Sequence, residues 1–122
     1  MKSKMIVVIV VSILMLAGGI LELIYINKSF DKLEERIDDI LADDKPNYQK
    51  VYETKQWLEK RHKGLELFIP HFELNELSVL YNEILGAVTA GDDEGAITLL
   101  FRLKEYSERL QDVYSFRFQN VV

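Results

Sequence analysis

MIVVIVVSILMLAGGILELIYI, Met5 to Ile26, holds a single charge, Glu22, in 22 residues. At about 1.5 Å of rise per residue such a helix is roughly 33 Å long, which matches a hydrocarbon core of about 30 Å. The segment is therefore expected to span a bilayer. A secretory signal peptide is the competing reading, because Lys2 and Lys4 precede an apolar core and Ala17-Gly18-Gly19 offers small residues for cleavage. The apolar run continues past those glycines through Ile20, Leu21, Leu23, Ile24 and Ile26, which favours an uncleaved anchor. The basic tail before the span favours a cytoplasmic N-terminus and an extracytoplasmic soluble domain at the cell membrane, crossed once.

Downstream, Ile26, Phe30, Leu33, Ile37 and Ile40 follow one another at spacings of 4, 3, 4 and 3, the stripe of one helix face. The membrane helix is thus expected to run straight on into water and to stop near Ala42-Asp43-Asp44-Lys45-Pro46. A second helix is predicted from about Asn47 to Phe68, with Tyr48, Val51, Tyr52, Leu58, Leu65, Phe68 and Ile69 on its apolar side and Trp57 adjoining. Gly64 weakens it by about 1 kcal/mol relative to alanine, and Pro70 ends it. A third helix is predicted from about Phe72 to Ala90, and a fourth from about Glu94 to Phe116, with Gly91 as terminator and Asp92 or Asp93 as N-cap. The tail Phe116 to Val122 either frays or docks.

The expected fold is all-α: an N-terminal transmembrane helix continuing into a small antiparallel bundle of three or four helices. Residues 1–26 form the tail and anchor, and residues 27–122 the bundle domain.

Charge narrows the partners. Setting aside Lys2, Lys4 and Glu22 leaves 13 bases and 19 acids, a net of −6 that opposes nucleic acid and anionic lipid. Residues 31–44 carry a net of −5 and residues 45–63 a net of +4, so a hairpin between the first two helices would bring opposite charges together. Cysteine is absent, which removes disulfides, thiolate metal sites and cysteine nucleophiles.

Four residues stand out as candidates for interaction or sensing: His71, Glu73, Trp57 and Glu22. His71 follows Pro70 at the corner of helices two and three, where it could serve a helix end or respond to protons beside Glu66, Glu73 or Glu76, with Phe68 and Phe72 closing the corner. His62 and His71 are nine residues apart across a proline break, a spacing that argues against a metal site. Gly91-Asp92-Asp93-Glu94-Gly95 lacks the alternating ligands and distal glutamate of a calcium loop. Lysines 45, 50, 55 and 60 step about 140° around a helix axis and share no face. Trp57, Tyr48, Tyr52, Phe68 and Phe72 could line a ligand cleft, but at helical spacing they are expected in the core, as a small bundle requires their area. Glu22 reaches water or headgroups, or contacts another membrane protein.

No nucleophile constellation, phosphate-binding loop or cofactor motif occurs, so the chain does not read as an enzyme. The stripe from Ile26 to Ile40 is short for a coiled coil, and homo-oligomerisation has no support.

Trp57, the block RHKGLELFIPHFELNEL (Arg61 to Leu77) and the block AGDDEGAITLLFRLKE (Ala90 to Glu105) together resemble a group of short single-span bacterial membrane proteins. That group comes mostly from Gram-positive spore-forming anaerobes and is defined as a domain of unknown function. The resemblance covers nearly the whole chain and implies a small helical domain, no catalytic residues to carry over, and association with multi-span membrane proteins. In that pattern an acidic residue follows Pro-His, whereas here Phe72 follows and Glu73 comes one later.

The functional expectation is a membrane-anchored accessory protein, held in lipid by residues 5–26 and presenting a small acidic helical domain to a protein partner. The alternative is a ligand-binding or pH-sensing domain centred on the Pro70-His71 corner.

Overall fold

A computed structural model describes the backbone of residues 2–121 and the side chains of residues 2–115. Four helices are seen among the described residues, with no strand: α1 (Lys2–Leu41), α2 (Tyr48–Leu65), α3 (His71–Thr89) and α4 (Asp93–Val121). Whether the side chains of the Phe116 to Val122 tail dock lies outside the described residues.

α1 is one uninterrupted helix of 40 residues, so the apolar segment and the stripe beginning at Ile26 share one rod. Its two halves have opposite surroundings. Met5 to Leu16 carry exposed apolar side chains, and Ile20, Leu21 and Ile24 are exposed as well, whereas Ile26, Phe30, Leu33, Ile37 and Ile40 are all buried. The first half is long and apolar enough to cross a membrane. From Lys2 to Leu21 it stands clear of the bundle for about 30 Å, with Gly19 the one residue there that is covered.

The second half joins the other three helices in a cycle in which α1 packs on α2 and α4, and α3 packs on α2 and α4. α1 and α3 face each other across the diagonal, as in an up-down-up-down bundle. The core contains Val51, Leu58 and Leu65 from α2, Leu74, Leu77, Leu80, Tyr81 and Ile84 from α3, and Leu100, Leu103 and Leu110 from α4, with Ile69 sealing the α2–α3 corner. Tyr81 donates its hydroxyl proton to the Val51 carbonyl at 2.7 Å, which satisfies the one polar atom of that buried side chain. Burial pushes its phenol up, so it is a neutral donor at any ordinary pH.

Helix ends follow local chemistry. Asn47 caps α2 by accepting from the Lys50 amide at 3.2 Å, and Asp92 caps α4 by accepting from the Gly95 amide at 3.0 Å. Gly91, at φ 76°, takes the left-handed step that ends α3. α2 stops at Leu65, three residues before the predicted end, because residues 66–69 tighten into a turn before Pro70.

The expected aromatic core is only partly realised. Tyr48 and Tyr52 are 50 % and 39 % exposed and stack on each other, with ring centroids 6.1 Å apart. They sit in the first turns of α2, at the edge of the bundle. The expected charge pairing along the first hairpin reduces to one lysine, Lys50, which meets Asp43 at 2.9 Å and Asp39 at 3.4 Å. Those carboxylates raise its pKa, Asp43 foremost. Asp38 turns to α4 and pairs with Lys104 at 2.8 Å.

Candidate functional site

Because the chain alternates direction, the α2–α3 corner and the later part of α4 lie at the end of the bundle from which the apolar half of α1 projects. Tyr25, one residue before the core begins, marks where α1 enters the bundle. Gly64 lacks a side chain where the Tyr25 ring lies, and a Cβ there would collide with the Tyr25 hydroxyl. Tyr25 donates to the Arg61 carbonyl at 3.4 Å, and its ring meets Phe68 at 6.0 Å between centroids. The Arg61 guanidinium lies 5.3 Å from the Tyr25 ring and 5.7 Å from that of Trp57. Gly64 thus exchanges a little helix propensity for a close approach of α1 and α2.

Around this corner the predicted residues divide. His71, the first residue of α3, makes no cap: Pro70 occupies the N-cap without a side-chain bond, and the His71 side chain is 75 % exposed. Its Nδ1 lies 3.4 Å from Glu66 Oε1, and the same oxygen is 3.0 Å from His62 Nε2. The ring centroids of the two histidines are 6.1 Å apart and edge-on. One carboxylate is therefore shared by two imidazoles from different helices. Of the three glutamates proposed as partners of His71, Glu66 is the one selected.

Glu73 is drawn elsewhere. Its carbonyl accepts from the Tyr106 hydroxyl at 3.1 Å and its carboxylate from the Tyr114 hydroxyl at 3.4 Å, so it ties the start of α3 to α4. Burial, and then the Glu73 charge, raise the Tyr106 phenol. Trp57 is half-buried against the core beneath the Arg36 guanidinium, 5.3 Å from its ring, and takes a packing role. Glu22 is half-buried on α1, about one turn before Tyr25, and is not one of the groups that converge at the corner. Phe72 does not close the corner; it is 67 % exposed, and Leu67 beside it is 78 % exposed. Phe68 alone takes the packing position, because it faces Tyr25 while the turn directs its neighbour Leu67 outward.

The nine-residue spacing of the two histidines does not by itself reveal the cluster of His62, Glu66 and His71. The legible part of the signal was His62 and Glu66, which at i and i+4 share one helix face. The turn at residues 66–69 then supplies His71.

On the opposite flank, α1 and α4 meet along a polar seam. Gln111 donates to Asn27 and Asp31 at 3.2 and 2.9 Å, and Ser115 donates to Asn27 at 2.9 Å. Farther along it, Glu34 has its pKa raised, first by burial and then by the charges of Glu108 and Asp31. Lys104 is raised by its bond to Asp38.

Net charge also conceals an axial separation. The run Lys60-Arg61-His62-Lys63 lies toward the projecting end, whereas Asp38, Asp39, Asp43, Asp44, Asp92, Asp93 and Glu94 gather toward the far end. The net acidity read from composition is thus unevenly spread, with a basic run of α2 toward the projecting end and a group of aspartates toward the far end.

Comparison of the chain with protein-family models, with curated proteins and with solved structures finds no match.

Proposed function

We propose that the protein is a membrane-anchored accessory protein: the first half of α1 lies in lipid, and the bundle stands directly on the bilayer surface, offering its acidic far end to a protein partner. The observation that carries this reading is the contrast within one continuous helix. Fourteen large apolar side chains between Met5 and Ile24 are exposed, while the next turns of the same helix are core. Each such side chain gains roughly 1.5–3 kcal/mol on leaving water, on the order of 20–40 kcal/mol together, and nothing among the described residues of the fold accounts for more than a small part of that. Lipid does.

The corner supports a close seat on the membrane. Leu67 and Phe72 protrude from the corner that Phe68 packs against Tyr25, at the outer edge of the apolar segment, where an aromatic belt is expected. With no linker between span and head, a partner that tilts the bundle tilts the membrane helix with it. This placement agrees with the resemblance to single-span bacterial proteins and with an extracytoplasmic bundle, for which the charge bias of the tail is the warrant.

Protease protection and reporter fusions at both ends test the topology. Crosslinking from the far end of the bundle, followed by copurification in mild detergent, tests the role. Recovery of the intact chain in the soluble fraction would overturn the anchor, and a bundle that crosslinks to nothing would overturn the accessory role.

A further inference from the structure

We propose that His62, Glu66 and His71 form a three-ligand site for a divalent transition-metal ion of the Zn2+ class, joining the end of α2 to the start of α3. The three donor atoms, one from each residue, all lie within 4.8 Å of one another. Zn2+ binds imidazole nitrogen and carboxylate oxygen at about 2.0–2.2 Å, so donors around a tetrahedral ion sit roughly 3.3–3.5 Å apart. Two of the three edges here, 3.0 Å from Glu66 to His62 and 3.4 Å from Glu66 to His71, are already near that value. The remaining edge closes by a small rotation of His71, the most exposed of the three and the one free to move.

The backbone beneath the ligands is set before any ion arrives. His62 lies in the last turn of α2, and Glu66 is its C-cap residue, in helical geometry with its amide bonded to the His62 carbonyl. Buried Ile69, and Phe68 against Tyr25, hold the turn that delivers His71. Two nitrogens and one carboxylate favour Zn2+, Co2+ or Ni2+ over Ca2+ and Mg2+, which take oxygen ligands. The fourth position faces solvent, open to water or to a donor from a partner. Bound metal would replace the two imidazole–carboxylate contacts by a covalent-strength bracket and stiffen the corner at the membrane-facing end.

The test uses the full chain in detergent, purified without a histidine tag, titrated calorimetrically with Zn2+ and spectroscopically with Co2+. One equivalent of Zn2+ should bind, the melting temperature should rise with Zn2+ concentration, and Co2+ should show the ligand-field absorption of a low-symmetry nitrogen and oxygen site. His71→Ala and Glu66→Gln should each weaken binding at least tenfold. His71→Ala should leave the metal-free melting temperature unchanged, since the side chain is mostly in solvent. Glu73→Gln, two residues from His71 but outside the set, should bind as the parent does. Absence of a one-to-one Zn2+ isotherm, or equal binding by the parent, His71→Ala and Glu66→Gln, would overturn the proposal. So would equal loss in Glu73→Gln.

Discussion

Placing a nitroxide at Leu67 or Phe72 should report lipid, and placing it at Asp92 should report water. The chain contains no cysteine, so Leu67→Cys, Phe72→Cys and Asp92→Cys each give one labelling position without further change. The geometry sets the expected contrast. Tyr25 to Leu41 is 16 helical steps along α1, about 24 Å along the axis. The corner sits beside Tyr25, and the α3–α4 turn sits at the level of the other end. If the apolar half of α1 fills the hydrocarbon, side chains at 67 and 72 fall within about 5–10 Å of its edge, the depth of interfacial groups. Full burial of a leucine or phenylalanine is worth about 1.5–3 kcal/mol, so exposures of 78 % and 67 % leave roughly 1–2 kcal/mol each to be gained from the interface. That is enough to hold the corner down against tilting. In proteoliposomes, power-saturation measurements should give labels at 67 and 72 greater access to oxygen than to a polar nickel chelate, and the label at 92 the reverse. Equal chelate access at all three positions would refute the seat on the bilayer, while leaving the anchor itself untouched.

Other perturbations probe the fold beneath that seat. Gly64→Ala should destabilise the bundle by up to about 2 kcal/mol in thermal melts, because overpacking against Tyr25, about 1–3 kcal/mol, is offset by a helix-propensity gain of about 1 kcal/mol; combined with Tyr25→Ala the same change should become neutral or stabilising. Glu34→Gln should stabilise by about 0.5 kcal/mol, roughly 2–4 °C, since the folded state disfavours the ionised carboxylate. The sign follows from a folded pKa above the unfolded one: ionisation costs stability as pH rises through that range, so the advantage of glutamine should appear at pH 7 and fade in melts below pH 4. Tyr81→Phe should lower stability by about 0.5–1.5 kcal/mol through loss of the bond to the Val51 carbonyl. Asp92→Ala should cost about 1 kcal/mol by uncapping α4, and a circular dichroism melt that did not move would contradict the capping role.

Much of this architecture is legible in local patterns. The 4-3-4-3 recurrence from Ile26 to Ile40 identifies the buried face of α1 without reference to any neighbour, and the uncharged length before it identifies the exposed half. Gly91 and Asp92 are legible for the same reason, as the left-handed step and the carboxylate cap act within a few residues. The candidate site is less so: Glu22, Trp57, Glu73 and His71 all stand out in the sequence, yet they have different partners in the fold. Glu73 binds tyrosines of α4, and Trp57 lies under Arg36. Glu22 sits on the projecting helix, and His71 meets Glu66 and His62.

The sequence by itself determined where helices form, which faces are apolar and that one helix is long enough for a bilayer, because those properties depend on residues within one or two turns of each other. Only the tertiary structure decided that Tyr25 enters the space left by Gly64, that Asp38 turns to Lys104, that the basic run of α2 lies at the projecting end, and that two histidines converge on one carboxylate. Such pairings depend on which helix stands beside which, and at what height. A stripe of apolar residues demands a neighbour without specifying its register, and the polar contacts that follow are set by that register.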